Sequence, residues 1–94
     1  MRVSVRLFGP LRVVVGSGEI ELALSGETAT VAQALDGVIA RYPQTSRYLR
    51  AAPGELPPGL RALLGDTRLD DATALAARLR DGDHLTLLMP VAGG

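Results

Sequence analysis

Ninety-four residues make one domain with a modest core, since a chain of this length buries only about 60–65% of the surface its unfolded form exposes. A formal net charge of zero and three aromatics, Phe8, Tyr42 and Tyr48, supply neither the electrostatic attraction nor the stacking platform of nucleic-acid binding, so no nucleic-acid partner is expected. Cysteine is absent, which removes disulfides, thiolate nucleophiles and cysteine metal sites, and no stretch approaches the roughly 20 apolar residues that span a bilayer.

The chain begins Met1-Arg2-Val3-Ser4-Val5-Arg6-Leu7, an apolar/polar alternation that predicts a half-buried strand. The same alternation lacks the unbroken apolar run of a signal peptide, so the expected compartment is the cytoplasm, with no membrane contact. Val13 and Val15 lead into the turn signal Gly16-Ser17-Gly18, after which Ile20, Leu22 and Leu24 alternate with Glu19, Glu21 and Ala23. Together these predict two antiparallel strands joined by a loose connection from Gly9 to Gly18.

The clearest helix follows. Thr30 and Gln33 fit a capping box, and Val31, Leu35, Val38, Ile39 and Tyr42 form one apolar stripe. Pro43 ends it, because the residue before proline is pushed out of the helical region. Residues 45–50 suit a short extra turn, and Ala51 to Gly59, with its prolines and glycines, suits a loop. Leu60 to Leu64 and Thr67 to Leu69 are short strand candidates across Gly65-Asp66. Ala72 to Arg80 fits one or two helical turns without a clear period, and Asp81-Gly82-Asp83 is a turn. In the last strand Leu85, Leu87 and Met89 alternate with His84, Thr86 and Leu88. This order predicts an α+β domain, a mixed sheet of four to five strands covered by one main helix. A right-handed crossover would lay the final strand parallel to the first.

Catalytic chemistry has little to work with. His84 is the single histidine, and alternation places it on the sheet face away from the core, as a surface residue rather than a base. Asp70-Asp71 and Asp81/Asp83 lack the ligand spacing of a calcium loop, so no metal site is expected. Gly16-Ser17-Gly18 lacks the lysine and the strand-then-helix setting of a phosphate loop. The arginines at 41, 47 and 50, and at 78 and 80, suit solvated surface positions. All ten basic residues are arginine; without lysine, the side chains offer no amine for an isopeptide bond.

The character changes after Met89, and residues 1–89 read as the domain with 90–94 as a tail. Pro90 cannot donate a ladder hydrogen bond and releases the chain from the sheet. Val91, Ala92, Gly93 and Gly94 then form a thin, uncharged filament that, with Pro90, extends about 17 Å. Glycine lets the backbone pass close to channel walls. At an average glycine usage of about 7%, two terminal glycines arise by chance in roughly 0.5% of chains. The reactive group such a tail delivers is the terminal carboxylate, inert until its oxygen is transferred to the α-phosphate of ATP to give an acyl-adenylate.

The segment Asp81-Gly82-Asp83-His84-Leu85-Thr86-Leu87-Leu88-Met89-Pro90-Val91-Ala92-Gly93-Gly94 closely resembles the C-terminus of the MoaD/ThiS family: D-G-D, an apolar strand, proline and a terminal G-G. Phe8-Gly9-Pro10-Leu11-Arg12 also resembles the family's F-A-x-L-R stretch. Two features depart from the pattern, the residues at Leu64-Gly65, where the family often has V-N, and a longer Ala51–Gly59 loop. The resemblance implies the ubiquitin-like β-grasp fold and a sulfur carrier that is not itself an enzyme, at most the small subunit of a synthase. It implies no permanently bound cofactor, ATP and magnesium being used by an adenylating partner related to ubiquitin activators. Gly94 would carry the acyl-adenylate and then a thiocarboxylate, Gly93 would be the channel spacer, and a sulfur-accepting synthase would be the second partner. The docking residues would be Leu88, Pro90, Val91, Phe8 and Arg12. The Ala-Gly-Gly ending and the Asp70–Asp81 stretch resemble the carrier of actinobacterial cysteine synthesis, and molybdopterin, thiazole and thiolated natural products stay open as pathways. The alternative is a protein modifier joined through Gly94 to lysines of its targets.

Overall fold

The computed structural model describes residues 1–50 and 54–89. Alternation does what it promised at both ends of the chain. In β1 (Arg2–Phe8), Val3, Val5 and Leu7 are buried while Arg2, Arg6 and Phe8 are exposed. β2 (Glu19–Ala23) pairs with it antiparallel, Val5 opposite Ile20. β7 (His84–Leu88) lies on the other side of β1 and parallel to it, Val5 beside Leu85 and Leu7 beside Leu87. β4 (Arg61–Leu64) runs antiparallel to β7, and β5 (Thr67–Arg68) closes the far edge. The result is a mixed five-stranded sheet in the order β2-β1-β7-β4-β5. β7 is therefore central, a strand buried by both neighbours.

Helix α2 (Val31–Arg41) covers one face of this sheet. Its first turn is closed by the capping box: the Gln33 amide donates to Thr30 Oγ1 at 3.2 Å, and the Thr30 amide donates to Gln33 Oε1 at 2.8 Å. Val31, Ala34, Leu35, Val38 and Ile39 are buried with Val3, Val5, Leu7, Leu85 and Leu87 in one apolar cluster. Each fully buried leucine or valine there contributes about 1.5–3 kcal/mol. After α2, Pro43–Thr45 forms a 3₁₀ turn and Ser46–Leu49 a short helix, α3. Thr45 is fully buried, its hydroxyl donating to the Tyr42 carbonyl at 2.7 Å.

Two segments differ from the sequence expectation. The connection from Gly9 to Gly18 contains a helix, α1 (Pro10–Val15), rather than only loose chain leading into the Gly16-Ser17-Gly18 turn. Pro10 sits at its first turn, where a missing N–H costs nothing, and Gly16 ends it in the left-handed region at φ 82°. Leu11 anchors it in the core. Six residues containing three valines are too few and too β-branched to show a helical period. Between Ala72 and Arg80, a 3₁₀ turn at Ala74–Ala76 gives way to a strand, β6 (Arg78–Arg80), with Leu79 buried between two exposed arginines. It pairs antiparallel with β3 (Thr28–Thr30), just ahead of α2, Ala29 opposite Leu79. Three residues per strand are too short for periodicity to reveal.

The outer edge of β2 is occupied by local side chains. Leu24 N–H bonds to Met1 O and Leu7 N–H to Gly18 O, so the ladder bonds fall on the even residues of β2, and Glu19 and Glu21 turn their amides outward. The Ser17 hydroxyl donates to Glu19 O at 2.8 Å and accepts from Glu19 N at 3.3 Å, while Arg41 Nη1 from α2 donates to Glu21 O at 2.6 Å.

Candidate functional site

The site is built around β7, because this strand carries the chain out to residue 90. Its start is fixed by the Asp81-Gly82-Asp83 turn. Asp81 Oδ1 accepts from the Arg2 amide at 2.7 Å, the Gly82 amide donates to Arg2 O at 2.8 Å, and the Ser4 amide donates to Asp83 O at 2.9 Å. Asp83 Oδ2 also accepts from the Arg80 amide at 2.8 Å. These carboxylates are thus turn and register devices that pin β7 against the first residues of β1. The sequence reading of this turn as structural, and of His84 as an exposed strand residue, agrees with what the structure shows.

From that fixed start the register determines what surrounds the exit. Phe8 lies beside Leu88, and Arg61 lies beside Leu88 on its other side. Both apolar side chains face solvent, Phe8 at 42% and Leu88 at 38% exposure, on the sheet face that α2 leaves open. One row back, Arg6, Thr86 and Leu63 lie abreast, with Glu19 and Arg68 at the flanks. Among the described residues, the remaining large exposed hydrophobic is Val13, on α1.

The structure therefore brings two of the expected docking residues, Phe8 and Leu88, into contact range across a strand pair. Arg12 is placed elsewhere: its guanidinium lies against Gly18, which faces β1 from the β2 side, one strand removed from Leu88. Pro90, Val91, Gly93 and Gly94 lie outside the described residues, as does the expected boundary between the domain and a 90–94 tail. Sequence reasoning missed Arg61 and Leu63, because only strand register places them beside Leu88 and Thr86. It also missed Gly9. This residue has φ 69° and ψ −143°, and a Cβ there would collide with the Met89 carbonyl oxygen.

Among the described residues no three His, Cys, Asp or Glu side chains gather as a metal site. A groove of about 480 Å³ runs beneath the Gly54–Gly59 loop, lined by Glu55, Arg61 and Asp71 with prolines and leucines. It pairs no nucleophile with a base. No helix of the described chain is long and apolar enough to cross a membrane. What the arrangement offers is a small apolar and cationic surface beside the point where the chain leaves the sheet.

A model of the ThiS family matches residues 5–94, through to Gly94. Small archaeal modifier protein 3 of Haloferax volcanii is 31% identical over 94 residues, with 100% of both chains covered. Among solved structures, SAMP1 of Haloferax volcanii superposes with a TM-score of 0.80 at 30% identity, covering 100% of each chain. A chain of the BexX/CysO complex of Amycolatopsis orientalis gives 0.78 at 29% identity, covering 98% of this chain and 99% of that one.

Proposed function

This chain belongs to the ThiS family, a set of small ubiquitin-like β-grasp proteins, and from that membership we propose that it carries sulfur on its C-terminal glycine. The observation that carries the reading is the exit of β7 beside Phe8 and Leu88, six residues ahead of a Gly93-Gly94 ending that the family match includes. An exposed apolar pair flanked by arginine is the composition of an interface centre, where aromatic and arginine side chains concentrate binding energy. Phe8, Leu88 and Arg61, with Pro90 and Val91, dock on an adenylating enzyme, and Gly93 serves as the spacer in the partner's channel.

The Gly94 carboxylate oxygen attacks the α-phosphorus of ATP, pyrophosphate leaves, and an acyl-adenylate forms. The magnesium and the nucleotide belong to the partner. A hydrosulfide-level donor then attacks the acyl carbon, AMP departs with the C–O bond, and a thiocarboxylate remains. The carrier moves to a sulfur-accepting synthase, which sets whether molybdopterin, cysteine, thiazole or a thiolated natural product is made. The chain supplies the cargo site and no catalysis of its own, and ATP-dependent charging suits the cytoplasm.

The test is mass spectrometry of the intact chain after incubation with ATP, its adenylating enzyme and a sulfur source. Exchange of oxygen for sulfur on Gly94 supports the reading; an unchanged mass with the cognate enzyme sinks it. A second reading is favoured by the 31% identity to a protein named as a modifier: Gly94 is joined to target lysines after the same adenylation. Thiol-resistant conjugates of higher mass would mark that use, and they would not extend through this chain's side chains, which include no lysine.

A further inference from the structure

Two arginines bracket the exposed apolar pair on the open side of the sheet. Arg6 lies two residues before Phe8 on β1, and Arg61 lies beside Leu88 on β4. With strands about 4.8 Å apart and a rise of about 3.3 Å per residue, their backbones are about 12 Å apart, with Leu88 between them and Phe8 alongside. Among the described residues neither guanidinium is paired. Arginine forms ion pairs there at Arg2–Glu21 and Arg68–Asp71, both at 3.8 Å. Glu19 stands opposite Arg6 across the β1–β2 pair, and Glu55 and Asp71 line the same groove as Arg61, but none of these carboxylates comes within ion-pair distance of either arginine. Nor does either guanidinium donate to a described backbone carbonyl, as that of Arg41 does to Glu21.

A partner that covers Phe8 and Leu88 also covers the stems of these two side chains, and their guanidinium groups then lose water. A cation is tolerated in such a place only when an acceptor of opposite charge replaces that water. A carboxylate does so with two parallel hydrogen bonds to the guanidinium fork. We infer that the partner surface receiving the Phe8–Leu88 pair carries a carboxylate on each side of its apolar socket, one for Arg6 and one for Arg61, about 12 Å apart. The inference rests on the carrier reading for the identity of that partner, the adenylating enzyme. The formal net charge of the chain is zero, so no overall field speeds the encounter; the two arginines act at contact, and their pairing slows release. A partner with lysine or arginine at either place would set like charges face to face, so the same two side chains select against basic surfaces.

The experiment replaces both arginines by methionine, Arg6→Met with Arg61→Met, which keeps the apolar stems and removes only the cations. Binding of the unsubstituted chain and of the variant to the cognate adenylating enzyme is followed by surface plasmon resonance at about 50 and about 500 mM sodium chloride. At the lower salt the variant is expected to dissociate roughly 10- to 100-fold faster, with its association rate within about threefold. The higher salt is expected to weaken the unsubstituted chain roughly tenfold and the variant less than about twofold. Arg47→Met, on α3 at the helical side of the sheet, is expected to change neither rate. If the double variant does not fold, the single variants Arg6→Met and Arg61→Met, read in the same way, decide the matter. Equal or tighter binding by the methionine variants would show that the arginines act through their stems alone and would overturn the inference, as would binding that salt strengthens or leaves unchanged. Pyrophosphate release is read from the same samples. Salt-sensitive binding without adenylation counts against the carrier reading alone, adenylation with salt-insensitive binding counts against the paired carboxylates alone, and no binding overturns both.

Discussion

The two ends of β7 are built in opposite ways. At its start, Asp81 and Asp83 hold backbone amides of Arg2 and Arg80, and the Gly82 amide bonds back to Arg2. At its finish, the ladder stops at Leu88, two apolar side chains face water, and α1 draws β1 away. The same five-residue strand is tied down where it begins and presents itself where it ends. Register connects the two, because shifting a strand by one residue would send Leu88 into the core and Leu87 out. A structural turn at one end thus decides which side chains face solvent at the other.

Adjacent leucines give the sharpest way to break this contrast. Leu87→Ala removes a fully buried side chain and should cost about 2–5 kcal/mol of stability, measured by urea denaturation. Leu88→Ala, one residue on, should leave stability within about 0.5 kcal/mol. Its effect should fall on docking, weakening affinity for the adenylating enzyme by about 1–2 kcal/mol in calorimetry, the scale of an interface anchor. If the two substitutions had interchangeable effects, the division between core and docking side would fail. At the tied end, Asp81→Ala removes an acceptor from the Arg2 amide and should cost about 0.5–1.5 kcal/mol, read as a lowered melting temperature with docking affinity unchanged. The smallest change lies outside β7. Gly37 is in mid-α2, and a Cβ there would make ordinary contacts with Leu22 and Leu24 at 3.5–3.9 Å, so Gly37→Ala should add about 0.5–1 kcal/mol without altering binding.

Much of this architecture is legible from residue pattern alone, and the reason is physical. β1, β2 and β7 each bury one face, so their period of two survives tertiary packing. The α2 boundaries are written in Thr30, Gln33 and Pro43, which act locally. What escaped the reading is either too short or non-local. α1 shows Pro10 and Gly16 as its only boundaries, and β3 and β6 stabilise each other from distant parts of the sequence, Ala29 opposite Leu79. The site divides in the same way. Leu88 and Phe8 stand out as apolar residues on the open side of alternating strands, whereas Arg61 joins them only through the β4–β7 register. Arg12, expected beside them, follows the unforeseen turn of α1 toward Gly18 instead. Gly9 is the extreme case, since its constraint comes from a carbonyl 80 positions away.

The bonding of Ser17 and Arg41 to the outermost strand bears on how copies of this chain coexist at high concentration. A bare sheet margin is a template on which another polypeptide can build, and rows of such additions are how soluble molecules turn into fibrils. Here Glu19 already has both of its outward amide groups taken, and Glu21 has its oxygen taken. At those two positions the β2 margin offers an incoming strand fewer free backbone groups to pair with.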